Sequence, residues 1–93
     1  MTYKLEFVRG ALKEWDALDA SIKKQFKKKL KARLDMPEVA ADRLIGSENR
    51  YKIKLRSAGF RLVYEVHHQE VLVLVVAVGK RERNAVYKVA AKR

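Results

Sequence analysis

The apolar positions of this chain change period several times, and each change predicts an element. In "TYKLEFV", Tyr3, Leu5 and Phe7 alternate with Lys4 and Glu6, the period of two expected of a strand with one buried face. Ala11, Leu12, Trp15 and Leu18 then recur at helical spacing, which predicts a short helix from about Arg9 to Leu18. Asp19 is placed to cap a second helix whose Ile22, Phe26, Leu30 and Leu34 form an i, i+4 stripe, and Pro37 ends it. Residues 38–50 read as a connection with one helical turn around Leu44.

Alternation returns in "YKIKLRSAGFRLVYEV". A loop from Arg56 to Gly59 pairs Leu55 with Phe60, Ile53 with Leu62 and Tyr51 with Tyr64, which keeps these apolar residues on one face. The same register sets Lys54 opposite Arg61, and like charges facing each other across a strand pair are destabilising. The run "QEVLVLVVAVGK" is apolar on both faces and belongs in the middle of a covered sheet. A turn from His67 to Glu70 would pair Val66 with Val71, Leu62 with Val75 and Phe60 with Ala77. A last helix is expected from about Glu82 to Ala91, packed through Val86, Val89 and Ala90, with Arg83 and Tyr87 one turn apart. The plan is α+β, βααβββα: an N-terminal strand, a helical hairpin, a three-stranded antiparallel meander and a C-terminal helix, in one domain over residues 1–93.

Charge changes the picture. The net charge is +11, from 22 Lys plus Arg against 11 Asp plus Glu, beyond the roughly 2 to 8 that solubility favours in a small domain. A polyanionic partner is implied; nucleic acid, an anionic membrane surface and an acidic protein all suit this field. Between Lys23 and Arg33 lie seven basic residues and no acidic one, so the second helix is expected to show a broad cationic face, with Lys23, Lys24, Lys27, Lys28 and Lys31 as phosphate contacts. There is no cysteine, which excludes disulfides and thiolate metal sites. The start "MTYKLEFV" lacks the apolar core of a signal peptide, and "VLVLVVAV" is too short to span a bilayer, so the expected location is the cytoplasm.

The expected register brings Lys52, Lys54, Arg61 and Arg81 to one end of the sheet, with Tyr87 on the adjoining helix. Transfer of a phosphoryl group within RNA can use the substrate's own 2′-hydroxyl, so a protein needs only to orient it, neutralise the phosphate and move protons. Arginine binds phosphate oxygens bidentately and keeps its charge. A lysine can serve as base only where its surroundings make its proton easier to lose. At an effective dielectric near 20, two cations about 5 Å apart repel by roughly 3 kcal/mol, and Lys54 faces Arg61. His67 and His68 read as surface-turn residues, Ser57 lacks a partner base, and no glycine-rich phosphate loop occurs.

Taken together, "ALKEW", "KKKL", "YKIKLRSAGFRLVYEV" and "VGKRER" followed by Tyr87 resemble the RelE family of toxins from bacterial type II toxin–antitoxin pairs, across nearly the whole chain. The resemblance implies a ribosome-dependent endoribonuclease. It would cut messenger RNA in the A site of the 70S ribosome, by 2′-hydroxyl attack that leaves a 2′,3′-cyclic phosphate, without metal or cofactor. It also implies contact with 16S ribosomal RNA, a RelB-like antitoxin and binding of operator DNA only through the antitoxin complex, with no membrane role. By position, Lys54 would be the base and Arg61 would stabilise phosphate charge. Arg81 would assist at the leaving 5′-oxygen, Lys52 would add electrostatic support and Tyr87 would stack on a base. Arg56, Lys80 and Arg83 join the helix lysines as expected RNA contacts. Ile45 stands where close relatives would carry an arginine, and Arg93 ends the chain slightly early for the family's last helix. A non-catalytic RNA- or ribosome-binding module is the competing reading, and a regulatory DNA-binding partner lacks a helix-turn-helix pattern.

Overall fold

The computed structural model describes residues 2–93. Strand β1 (Lys4–Phe7) leads into α1 (Arg9–Asp16) and α2 (Ala20–Asp35); a 3-10 turn (Ala40–Asp42) precedes β2 (Arg50–Leu55), β3 (Phe60–His67) and β4 (Leu72–Lys80). A second 3-10 turn (Glu82–Asn84) then opens α3 (Ala85–Ala91). The sheet order is β1-β4-β3-β2, with β1 parallel to β4 and the other pairs antiparallel. The strand apolar on both faces is thus an inner one, as its composition requires.

Each face of the sheet has its own core. Helices α1 and α2 bury Trp15, Ile22, Phe26 and Leu30 against Tyr51, Ile53, Leu55, Leu62, Tyr64 and Val75. On the opposite face α3 packs Val86 and Ala90 on Val63, Val76 and Ala77. The helix stripe expected of Ile22, Phe26 and Leu30 is buried, and Leu34 packs at its margin. Asp19 occupies the N-cap of α2 in extended backbone but makes no side-chain capping bond.

Three expectations need correction. The β3–β4 turn lies at His68–Val71, not His67–Glu70, so Val66 pairs with Val73, Leu62 with Val78 and Phe60 with Lys80. Alternation alone could not see this, because Val71 takes a left-handed backbone (φ 51°) that its β-branched side chain disfavours. The helical turn of the connection is at Ala40–Asp42 rather than around Leu44, which instead packs beside the α3 core. The last helix begins at Ala85, since Arg83 and Asn84 are both left-handed (φ 51° and 57°); Arg83 and Tyr87 therefore do not share a helical face.

The cationic face of α2 also loses one member. Arg33 turns inward, donating to the Tyr64 hydroxyl (2.8 Å) and the Lys52 carbonyl (3.3 Å) and pairing with Asp42. The Tyr64 hydroxyl in turn donates to the Pro37 carbonyl (2.7 Å). One guanidinium thereby ties α2, the 3-10 turn, β2 and β3 together, using the several donors that only arginine carries in one plane.

Beyond Val75 the outer edge of β4 has no β1 partner, and α1 and the chain end close it. Glu14 accepts the Val78 N–H (3.1 Å), while Arg93 donates to Glu14 and to the Val76 carbonyl, each at 2.9 Å. The guanidinium lies directly against Gly10, where a Cβ would collide with it. Backbone groups that would otherwise be buried without partners are satisfied by this ion pair, which also anchors the end of α3.

Candidate active site

The β2–β3 register is the one alternation demanded: Leu55 pairs with Phe60, Lys54 with Arg61, Ile53 with Leu62 and Tyr51 with Tyr64. Lys52 and Lys54 therefore share the α3 side of the sheet with Arg61. Arg61 is the single buried charged residue among the described residues, only 8% exposed, and it donates to the Phe60 carbonyl at 2.9 Å. The hairpin turn closes through Gly59, left-handed at φ 72°, whose N–H donates to the Leu55 carbonyl and whose own carbonyl accepts the Arg81 N–H. Arg81 is thus fixed by its backbone to the hairpin that carries Arg61.

A β-bulge sets the direction of Arg81. Val73 and Val75 face the α1–α2 core, and unbroken alternation would send Ala77, Gly79 and Arg81 the same way. The register shifts between Val63 and Tyr64, where Val63 pairs with Ala77 but Tyr64 with Val75, leaving Val76 as the extra residue. From there Ala77 joins the α3 core and Val78 the α1–α2 core, Gly79 lies opposite Arg61, and Arg81 emerges on the α3 side. Bulges near functional sites characteristically re-aim a side chain in this way.

The result is an open cavity of about 700 Å³. Lys52, Lys54, Arg61, Arg81 and Tyr87 all line it, between a wall from Leu44 to Ser47 and a wall from α3. Ile45 forms the exposed rim of the first wall. No carboxylate and no histidine is among the lining residues. Lys23, Lys24, Lys27, Lys28 and Lys31 belong to α2 on the other layer of the sheet, and Arg56 stands at the hairpin turn. Lys80 and Arg83 are exposed and do not line the cavity.

Arg50 and Asn84 are among the lining residues that escaped the sequence reading. Arg50 continues the Lys52 and Lys54 face at the same spacing of two, a signal that was present in the sequence. Asn84 reaches the cavity only because it caps α3 from a left-handed backbone, which no periodicity reveals.

Arg50 is held on both sides. It pairs with Glu65 at 2.6 Å and donates to the Ala90 carbonyl, also at 2.6 Å, so it joins the cavity floor to α3. Burial works to raise the Glu65 carboxyl, but hydrogen bonds from Arg50 and His67 outweigh it and hold the group below its ordinary 4.5. A depressed carboxyl contributes stability that is present above the unfolded value and lost as pH falls through the folded one. We expect Glu65→Gln to flatten the loss of stability below about pH 4.5, measured by urea denaturation at a series of pH values. An unchanged acid limb would show that this carboxylate does not set it. The neighbouring histidine, His68, pairs with Glu38 at 3.2 Å; that pair is half exposed on both sides and lies away from the cavity lining.

Tyr87 has the opposite shift. Burial raises its phenol above the ordinary 10, and the facing Arg61 guanidinium only partly opposes this. At neutral pH the ring is a protonated phenol, suited to stacking and hydrogen bonding and unsuited to act as a base.

Comparison with known proteins shows the family and the fold. Residues 5–85 match the family of the ParE toxin of type II toxin–antitoxin systems, parDE. The chain is 50% identical over 93 residues to the mRNA interferase toxin RelE of Escherichia coli strain K12, covering 100% of this chain and 98% of that protein. It belongs to the RelE family of the RelE/ParE toxins. A mutant of E. coli RelE in the free state superposes with a TM-score of 0.92 at 48% identity, covering 100% of this RelE-family chain and 98% of the other. The same mutant in complex with a peptide of the antitoxin RelB gives 0.85 at 48% identity, with the same coverage. The α+β plan read from the sequence is that of the family. No helix among the described residues is long and apolar enough to cross a membrane.

Proposed function

We propose that this protein is an mRNA interferase that cleaves messenger RNA in the ribosomal A site and is neutralised by a RelB-like antitoxin. The observation that carries the reading is the cavity, which gathers Lys52, Lys54, Arg61, Arg81 and Tyr87 with no acidic side chain to compete for them. Its relative at 50% identity is named an mRNA interferase toxin, and E. coli RelE has been solved with an antitoxin peptide. Binding to 16S ribosomal RNA, operator binding through the antitoxin complex and a cytoplasmic location belong to the same proposal.

The chemistry follows from what each group can do. Lys54 serves as the base that takes the proton of the 2′-hydroxyl as that oxygen attacks the adjacent phosphorus. The P–O5′ bond breaks, and the leaving 5′-oxygen, its charge offset by Arg81, takes a proton from water while Lys54 returns its own to solvent, so the products are a 2′,3′-cyclic phosphate and a 5′-hydroxyl end. Arg61, fixed in a largely buried position before substrate arrives, stabilises the charge that accumulates on the phosphate oxygens. Lys52 adds to the same field, and Tyr87 stacks on a nucleotide, a contact worth about 1 to 3 kcal/mol.

The test is to induce the protein in growing cells and map messenger 5′ ends against reading frame, beside an Arg81→Ala variant. Cuts at a fixed place within translated codons, lost in the variant, are the expected result. Unchanged messenger ends despite association with ribosomes would favour a non-catalytic binding module.

A further inference from the structure

A second, smaller hollow of about 290 Å³ opens where the middle of α2 meets the β2–β3 hairpin. It is lined by Lys29, Lys54 and Arg56 together with Gln25, Leu55 and Ser57, and no carboxylate is among them. Lys29 and Arg56 bring positive charge to one concavity that Lys54 borders from the strand, without an acidic partner; the like charges repel one another, and an anion seated there removes that cost. The neutral side chains add a hydroxyl and an amide that can donate to an oxyanion.

Its position singles it out from an ordinary solvated surface. Lys54 lines both this hollow and the main cavity. Strand β2 is an edge strand; Arg43 bridges its free side at Tyr51, but further along no strand covers it, and Lys54 can serve the α3 face while standing next to Lys29 of α2. Lys29 is anchored there, its Nζ donating to the Lys54 carbonyl at 3.4 Å. The two basic regions, cavity and α2 face, lie on opposite layers of the sheet, and this hollow joins them around the edge.

We propose that the hollow is a subsite for an RNA backbone phosphate, that of the substrate strand next to the scissile one. Sharing Lys54 between the two concavities sets the spacing of consecutive phosphates on one strand. Lys29 and Arg56 hold the flanking phosphate, so the strand leaves the cavity around the β2 edge toward α2. The assignment rests on the endoribonuclease reading given above, and it adds Lys29 as a binding residue.

The experiment compares the parent protein with Lys29→Gln/Arg56→Gln, both exposed positions whose replacement leaves the core intact. On programmed ribosomes, single-turnover cleavage is measured for messengers carrying one uncharged methylphosphonate linkage on either side of the scissile phosphate. The expected result is that one of the two neutral linkages slows the parent about tenfold, that the variant is slowed to the same degree on ordinary messenger, and that combining them adds nothing further. A variant slowed equally with and without the neutral linkage, while the parent ignores it, would assign the phosphate to ribosomal RNA and overturn the substrate-strand subsite. An unslowed variant would mean three solvated cations only.

A separate arm keeps the proposal distinct from the activity it rests on. The isolated protein is titrated with a uniformly 2′-O-methylated RNA hexanucleotide, which cannot be cleaved, and the Gln25 and Ser57 amide resonances are followed. Shifts that are lost in the variant support the anion subsite even if the parent cuts no messenger, and their absence in the parent overturns it.

Discussion

Arg61→Ala is expected to lower single-turnover cleavage of ribosome-bound messenger by about 10² to 10³-fold, the usual effect of removing one preorganised charge donor from a reacting centre. Ribosome association is expected to persist, because the α2 lysines lie on another layer of the molecule. Stability is expected to change little, since the lost contact with Phe60 is offset by relief of the repulsion from Lys54. Lys54→Ala should cost at least as much activity, and the conservative substitutions separate the two roles. Arg61→Lys keeps a cation against the phosphate and recovers part of the rate. Lys54→Arg recovers none, because a guanidinium, which keeps its proton in proteins, cannot accept the 2′-hydroxyl proton. A Lys54→Arg variant cutting at the parent rate would remove the base assignment while leaving the electrostatic one standing.

Much of this site was legible before any coordinates. The β2–β3 hairpin is specified twice over, since a slip of one residue exposes every apolar side chain, and the same constraint forces Lys54 against Arg61. What alternation could not supply was anything that depends on broken alternation. The bulge at Val76 and the left-handed Val71 together moved the β4 register by two residues at Val66 and three at Leu62. Those same shifts bring Gly79 opposite Arg61 and aim Arg81 into the cavity. The expected grouping of Arg81 with Arg61 therefore holds for a different geometric reason. Lys80 and Arg83, expected as RNA contacts from the resemblance, are exposed outside the cavity lining, and Arg83 lies before the start of α3 in left-handed backbone. Lys29 and Arg33 looked alike in a run of basic residues, and only the tertiary fold separates an outward lysine from an inward arginine.

That inward arginine carries the largest expected effect on folding. Arg33→Met is expected to lower the unfolding free energy by about 2 to 4 kcal/mol, toward the low end of what breaking a buried pair costs because both partners keep some exposure. Methionine matches much of the stem but leaves the Asp42 carboxylate without its partner and the Lys52 carbonyl without a donor on the edge strand. It also removes the cation that sits 5.9 Å from the centre of the Tyr64 ring. Burial holds the Tyr64 phenol above its ordinary 10 despite Arg33, so its hydroxyl stays protonated and keeps its bond to Pro37 in the variant. The damage is therefore expected to centre on β2 and the Ala40–Asp42 turn. For a domain of this size the loss corresponds to a fall of about 8 to 30 °C in the thermal midpoint, read by calorimetry and checked by urea denaturation. Amide exchange should accelerate first in β2, the strand that carries Lys52 and Lys54, as expected if this anchor supports the cationic cluster. A loss below about 0.5 kcal/mol, the range of an ordinary surface substitution, would show that the contacts of Arg33 do not hold the edge strand.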